Sequence, residues 1–231
     1  MRGGAGSAPA PPHPRDPTYT VRMSATATRL LLLGAVKIFE PVNAYQIRRE
    51  LVSWDVDEWA HVNPGSVYSV LRTLTRQGFV DRHDITDAGR AVAVYTVTAR
   101  GKAEFVQLME RGLTTVDHSE PLLFHTALAM LPHVEREPAR VWLRSRIVQL
   151  RDTAGIPERR GSAAPPYVAE MLELWRREAA AQLDWCESLV ARVEAGELHF
   201  SGEPAGSGPS TGEPAQMEAE RARYREILGP V

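Results

Sequence analysis

The chain has 231 residues, and its hydrophobic content of 43% is enough for one or two packed cores. A single cysteine, Cys186, excludes the disulfide-rich secreted class, and the longest apolar run, residues 30–36, is shorter than the roughly 20 residues that cross a bilayer. The formal net charge of −2, taken alone, argues against nucleic-acid binding, because phosphate recognition rests on basic side chains. We therefore expect a protein of the reducing cytoplasm without a membrane segment.

The distribution of glycine and proline divides the chain into four parts. Both residue types concentrate near the two ends, where the sequence cannot bury enough apolar surface to offset the entropy of ordering. We predict a disordered extension at residues 1–22, a first module of short helices and a strand pair at 23–104, and a helical module at 105–199. A flexible linker with one short helix is predicted at 200–231.

The first two helices of residues 23–104 have clear ends. The first is predicted over residues 24–39, is apolar on most sides, and ends before Pro41. Asn43 then has the position of an N-cap for a second helix over residues 44–53. Gln46, three residues later, completes a capping-box pattern.

The third helix carries the most information about function. Asn63 and Pro64 indicate its start, and Gly78 indicates its end. At 100° per residue, one face is apolar and points to the core, whereas the opposite face carries Ser69, Arg72 and Arg76. No acidic residue occurs in residues 64–80. The simplest alternative is an ordinary amphipathic helix with a solvated face.

The segment after the third helix favours a functional interpretation. Residues 79–86 and 91–98 are rich in β-branched and aromatic residues, and the segment between them, residues 87–90, has the composition of a hairpin turn. Three helices with a hairpin directly after them form the winged helix-turn-helix arrangement, in which the last helix enters the major groove of DNA. The fold class predicted is therefore mainly α with a small β-hairpin: a winged helix-turn-helix domain and, after it, an α-helical domain.

Three motifs in this region resemble the PadR family of bacterial transcriptional regulators. The segment NPGSVYSVLRTLTRQGFVD at residues 63–81 is similar to the family's recognition-helix motif. Residues 43–47, NAYQI, lie where the family usually has His-Gly-Tyr-Glu-Ile, and residues 95–101, YTVTARG, resemble its strand end. The resemblance implies a DNA-binding regulator whose larger C-terminal helical domain forms a dimer, and a small hydrophobic or aromatic effector that releases the DNA.

The predicted DNA contacts lie on three elements. Arg72 and Arg76 are one helical turn apart and carry the forked donors that suit guanine or phosphate. For Tyr68 a phosphate contact and packing against the wing are both open, and for Tyr45 a phosphate contact and a core position are both open. The full set predicted to contact double-stranded DNA is Tyr45, Gln46, Ser66, Tyr68, Ser69, Arg72, Arg76, Arg82, His83 and Arg90.

The wing departs from the family pattern. Family wings commonly carry several basic or polar residues before the conserved tyrosine, whereas Arg90 is followed here by residues 91–94, AVAV. Phosphate binding by this wing then depends on Arg82, His83 and Arg90. The charge is also uneven, since residues 23–104 have ten Lys and Arg against nine Asp and Glu, and residues 105–231 have fourteen against nineteen. The net charge therefore permits DNA binding through a few arginines.

A long apolar stripe in the C-terminal half predicts dimerisation. One DNA-binding module of this size usually needs a second on a dyad-related site. Apolar residues recur in steps of three or four over about 39 Å of helix, as in a coiled-coil seam. Packing within the same chain, against helices near residues 122–131 and 141–150, is the alternative. The predicted dimer residues are Val168, Leu172, Trp175, Ala179, Leu183, Cys186 and Val190.

Other classes of function have less support. We find no phosphate-binding glycine loop and no hydrolase or zinc-protease motif, so we expect neither an enzyme nor a cofactor. His118, His125 and His133 have helical spacing, but seven residues of helix span about 10 Å, so a metal site is not expected. The leading hypothesis is a homodimeric repressor on a dyad-symmetric operator. The alternative is a protein-interaction scaffold that keeps the fold without specific DNA binding.

Overall fold

The structure, a computed structural model, describes residues 24–59, 64–154, 165–203 and 215–229. The predicted extension at residues 1–22 lies outside these ranges. In chain order the N-terminal elements are α1 (Ala25–Phe39), β1 (Val42–Asn43), α2 (Ala44–Ser53), α3 (Val56–Trp59), α4 (Val67–Arg76), β2 (Val80–Asp87) and β3 (Arg90–Val97). The C-terminal elements are α5 (Ala99–Thr114), α6 (Pro121–Ala129), α7 (Arg136–Ala154), α8 (Pro166–Glu194) and α9 (Ala215–Leu228). The predicted fold class, mainly helical with a winged helix-turn-helix domain and further C-terminal helices, is confirmed.

Local capping interactions fix α1 and α2. The side chain of Ser24 accepts a hydrogen bond from the backbone N–H of Ala27 and begins α1, whose leucines at 30–33 are all fully buried. For α2, Asn43 accepts from the Gln46 N–H, and the Gln46 side chain accepts from the Asn43 N–H. The predicted capping box is thus present, and α2 has the predicted bounds.

The sheet has three antiparallel strands in the order β1-β3-β2. The predicted hairpin is present, one residue later than predicted in its first strand and one earlier in its second, with Val80 opposite Val97 and Asp87 opposite Arg90. Its two-residue turn, Ala88 and Gly89, has positive φ at both positions, as a turn that matches strand twist requires. The short β1 pairs Val42 with Tyr95 at the other edge of β3.

The C-terminal helices share one continuous core with the N-terminal module. Helix α5 begins beside the hairpin, where Thr98 caps it through the Gly101 N–H, and it packs on α1, α6 and α7. Helices α7 and α8 form the most extensive helix–helix contact of the described residues. Phe200 is buried beneath the Arg136 guanidinium, which also pairs with Glu203, so packed structure extends beyond the predicted boundary at residue 199.

Candidate nucleic-acid interface

Helix α4, which is the third helix predicted from the sequence, presents a polar face to solvent. Val67, Leu71 and Leu74 are buried in the core, and Val70 is half-buried beside them. On the other side Ser69, Arg72 and Arg76 are exposed, as predicted from the helical periodicity. No acidic side chain belongs to this helix. The exposed face therefore offers donors without a neighbouring carboxylate on the same element.

The hydroxyl groups along α4 are oriented by its own backbone. Ser69 Oγ donates to the carbonyl oxygen of Ser66 at 2.7 Å, and Thr73 Oγ1 donates to that of Ser69 at 3.0 Å. Each hydroxyl oxygen keeps lone pairs that can accept a hydrogen bond. Ser66 lies half-buried at the start of the helix. Arg72 and Arg76, by contrast, make no ion pair with another described residue, so both guanidinium groups are available to an anion.

Two tyrosines lie outside the core. Tyr45, in the first turn of α2, is 60% exposed, and Tyr68, in the first turn of α4, is 52% exposed. These exposures exclude the core position that the sequence left open for Tyr45. They also show that Tyr68 does not pack fully against the wing.

Gln46 differs from the sequence-based expectation for its surroundings. It is 1% exposed, and both ends of its side-chain amide are occupied. The oxygen accepts from the Asn43 N–H at 2.9 Å, and the nitrogen donates to Glu220 Oε2 at 2.7 Å. In this conformation Gln46 therefore presents no group to the surface.

The basic residues of the wing differ in their pairing and exposure. Arg82 is paired with Asp84, with 2.7 Å between Nη2 and Oδ1, and the His83 ring lies 2.9 Å from the hydroxyl oxygen of Thr96. Arg90 is exposed beside the turn. Arg223 of α9 also reaches the turn and pairs with Asp87 at 3.4 Å. Sequence reasoning missed Arg223, because no local pattern indicates where a helix after a linker will pack.

The predicted dimer stripe divides into two halves on α8. In the second half Ala179, Cys186 and Val190 are buried against the chain's own helices, chiefly α7. Burial also raises the pKa of the Cys186 thiol, so it is a neutral apolar side chain. In the first half Val168 is 40% exposed, and Leu172 and Trp175 are half-buried, as is Leu183 in the second half. Intramolecular packing thus accounts for the second half of the stripe.

A cavity of about 480 Å³ lies between α5, α6, α7 and α8. Its wall includes Gly112, Phe124, Arg146 and Trp175. The imidazole ring of His118, also in the wall, stacks on Trp175 with 4.9 Å between ring centroids. The cavity therefore combines flat aromatic surfaces with polar groups, which is the usual composition of a small-molecule site.

Arg146 is the buried charge of this cavity. It is 3% exposed and donates to the Thr115 carbonyl and the Gln182 side chain, both at 2.7 Å. Its guanidinium carbon lies 3.7 Å from the centroid of the Phe124 ring. Burial lowers its pKa, and no carboxylate pairs with it among the described residues. A buried cation without a counter-ion is unusual and leaves the cavity attractive to an anionic or aromatic group.

Neither a metal site nor a membrane span is found in the described parts of the chain. In residues 24–59, 64–154, 165–203 and 215–229, no three His, Cys, Asp or Glu side chains are arranged to hold a metal ion. Among the same residues, no helix combines the length and apolar character needed to cross a bilayer.

A model of one protein family matches part of the N-terminal module. Residues 32–107 match the model of the Transcriptional regulator PadR-like family, a range that holds α2, α4 and the hairpin. Comparison with curated proteins gives no match.

Solved structures similar to this chain include Bacillus subtilis PadR in complex with operator DNA, at 19% identity and a TM-score of 0.33, covering 72% of this chain and 98% of that one. A PadR-like transcriptional regulator from Bacillus cereus has 15% identity and a TM-score of 0.33, covering 79% and 99%. A protein from Streptococcus mutans has 15% identity and the same TM-score, covering 71% and 98%. The part of this chain that resembles the transcriptional regulator PadR-like family is the match over residues 32–107.

Proposed function

We propose that the chain is a cytoplasmic, sequence-specific DNA-binding repressor that acts as a homodimer on a dyad-symmetric operator. The observation that carries the proposal is the exposed face of α4, where Ser69, Arg72 and Arg76 lie together without an acidic neighbour on the helix. A helix of this kind fits the major groove of B-DNA, and its outward side chains then reach base edges. The family match over the same residues supports this assignment.

Within this proposal, Arg72 and Arg76 have separate tasks. Four residues of helix rise about 6 Å, so the two guanidinium groups reach different positions along the groove. An arginine fork suits the two acceptors of guanine, which specifies sequence, or a phosphate, which positions the protein. Tyr45 and Tyr68, both exposed at helix starts, are suited to donate to phosphate oxygens. Arg90 and His83 extend the contact along the wing.

The first half of α8 is the proposed dimer contact. Tyr167, Val168, Met171 and Leu174 are exposed apolar residues within two turns of one helix, and Tyr167 is 90% exposed. A cluster of this kind on a helix is typical of a protein–protein contact. The dimer would bring two α4 helices to the two halves of one operator.

The proposed effector is a small hydrophobic or aromatic molecule bound in the cavity beside Arg146. The ring of Phe124 and the stacked pair of His118 and Trp175 provide flat surfaces for such a ligand. A ligand releases DNA only if it binds more tightly to the protein conformation that does not fit the operator. The cavity is formed in part by α5, which begins directly after the hairpin.

Substitution of Arg72 tests the proposal. Selection from a random duplex library would first supply the operator. Arg72→Ala is then expected to weaken binding to that operator by about 1–3 kcal/mol, because one bidentate contact to a base is lost. Arg192→Ala, which removes an exposed arginine from the end of α8, is the matched control and should bind like the wild type. Equal operator affinity in the folded Arg72→Ala variant and the control would contradict the role of α4.

The second candidate function is a scaffold that has the fold but lacks DNA binding. It is favoured by the exposed acidic residues Asp55, just before α3, and Asp57 and Glu58, within α3, and by the pairing of Arg82 with Asp84 in the wing. A salt series separates the two functions. Affinity for duplex DNA that falls steeply between about 50 and 200 mM salt, on the order of 10²-fold for a few phosphate contacts, supports the regulator. Failure to bind any duplex of the library at low salt supports the scaffold.

A further inference from the structure

Helix α9 packs on the N-terminal module although it lies at the far end of the sequence. Its residues Met217 and Tyr224 are 0% and 3% exposed. They anchor the helix beside the start of α2, the loop after α1 and the turn of the wing. The proposed function gives this helix no role, although α9 contacts α2 and the wing, two of the three elements predicted to contact DNA.

Three contacts tie α9 to one face of α2. The Gln46 amide nitrogen donates to Glu220 Oε2 at 2.7 Å, and the Asn43 amide nitrogen donates to the Tyr224 hydroxyl at 3.0 Å. One turn further along, Arg49 Nη2 lies 3.2 Å from the Met217 sulfur. Residues 43, 46 and 49 are each three apart and therefore share a face of the helix. Helix α9 covers that face.

Two arginines of α9 extend the contact to neighbouring backbone and to the wing. Arg221 donates to the carbonyl oxygens of Glu40 at 3.1 Å and Ile38 at 3.4 Å. Arg223 pairs with Asp87 in the wing turn. The helix thus bridges the start of α2 and the tip of the hairpin. Both arginines contact groups of the same chain.

The Glu220 carboxylate accepts from the amide donor that Gln46 would offer to a DNA phosphate under the proposed function. The first turn of a helix carries partial positive charge and unpaired N–H groups, and it attracts anions. Gln46 is the third residue of α2, and its amide donor is directed at Glu220. A phosphate oxygen and a carboxylate oxygen compete for such a donor because both are anionic acceptors.

We propose that α9 is an intramolecular competitor of DNA: docked on α2 and the wing turn, it holds the N-terminal end of α2 closed, and DNA binding requires its release. This inference rests on the proposed function. The apparent affinity for DNA is then the intrinsic affinity multiplied by the fraction of molecules in which α9 is undocked. Substitutions that weaken docking without touching the DNA-facing side chains raise the affinity.

Two variants and one matched control test this competition in the full chain. Glu220→Ala removes the carboxylate from the α2 contact, and Tyr224→Phe removes the hydroxyl that accepts from Asn43 without changing the charge. Glu226→Ala removes the same charge from an exposed position of the same helix and is the control. The probe is a fluorescently labelled duplex of about 40 base pairs and mixed sequence, measured by anisotropy at low salt.

We expect Glu220→Ala to bind the duplex roughly threefold more tightly than Glu226→Ala or better, and Tyr224→Phe to bind more tightly than the wild type. Hydrogen exchange adds a second readout. Residues 215–228 should exchange slowly in the free protein and faster when the duplex is bound. Equal or weaker binding by both test variants, or stronger protection of α9 in the complex, would overturn the competition while leaving the proposed function intact. If no variant binds any duplex, the inference and the proposed function both fail.

Discussion

Gly101 of α5 lies directly against the carbonyl group of Phe79 at the base of the hairpin: a Cβ atom on Gly101 would be 2.0 Å from that oxygen. The obstacle is backbone, which cannot rotate away as a flexible side chain can. Gly101→Ala is therefore expected to separate α5 from the hairpin and to lower the free energy of unfolding by more than about 2 kcal/mol. Urea denaturation of the purified variant measures the loss.

Gly89→Ala is the control for this substitution. Gly89 has a φ of +77°, and apart from its two chain neighbours no residue has an atom within 4 Å of the position that a methyl group would take there, so alanine meets backbone strain and no clash. Its expected loss is about 1 kcal/mol. A loss at Gly101 no larger than that at Gly89 would show that the hairpin base adjusts easily.

The side chain of Thr98 joins the first turn of α5 to the segment between α4 and β2 by two hydrogen bonds. Its Oγ1 accepts from the Gly101 N–H at 2.9 Å and donates to the Gly78 carbonyl at 2.8 Å. Thr98→Ala should lower the free energy of unfolding by about 1–2 kcal/mol, because both a helix cap and a backbone carbonyl lose their partner. Thr98→Ser keeps the hydroxyl and should recover most of the loss in the same urea experiment. A serine variant as unstable as the alanine variant would assign the effect to the methyl group.

Two substitutions of Arg146 test whether its buried charge stabilises the fold. Replacement of a buried charge by an apolar side chain of similar length is often neutral or stabilising, since the desolvation penalty is removed. We expect Arg146→Met to change the free energy of unfolding by less than about 1 kcal/mol, or to raise it. Arg146→Ala instead enlarges the cavity beside Phe124 and should cost about 3 kcal/mol. A loss of that size in the methionine variant would mean that the guanidinium contacts to Thr115 and Gln182 stabilise the fold.

The lowered pKa of His133 predicts that the free energy of unfolding falls in acid. Burial, together with the nearby positive charge of Lys37, lowers the pKa of His133 from 6.5 to about 4. Between about pH 6.5 and pH 4, the unfolded chain therefore binds a proton that the folded chain does not bind. The stability contributed by neutral His133 is fully present above about pH 6.5 and falls as the pH is lowered through this window, by at most about 3 kcal/mol.

His133→Asn should flatten this part of the stability–pH curve relative to the wild type. Carboxylates also titrate in the same range, so the comparison is made with His125→Asn, which removes an exposed imidazole. Thermal melts at half-unit steps from about pH 7 to pH 4 give the two curves. Parallel curves for wild type and His133→Asn would exclude His133 as the source.

The features predicted correctly from the sequence depend on neighbours within a few residues. The capping box of Asn43 and Gln46, the core-facing side of α4 and the Ala88–Gly89 turn are all set by local chemistry. The partner of the apolar stripe on α8 was harder to predict. Periodicity identifies a face that is buried, but it does not show whether the same chain or a second copy covers that face. The structure buries Cys186 within its own subunit and leaves Val168 exposed.

The features that the sequence could not predict depend on contacts between distant residues. Strand β1 is only two residues long and forms because Val42 meets Tyr95. The burial of Gln46 depends on Glu220, which is 174 residues away in the chain. No periodic pattern encodes a contact of that separation, so the covering of α2 by α9 is visible only in three dimensions.

The uninterrupted course of α5 has a mechanical consequence. Its 16 residues form a rod about 24 Å long, with the hairpin base fixed to the first turn and the cavity wall formed at the last. A stiff rod cannot tilt at one end alone. A molecule that displaced Gly112 from α6 would therefore be expected to tilt the first turn of α5 as well, together with the base of the wing that packs on it.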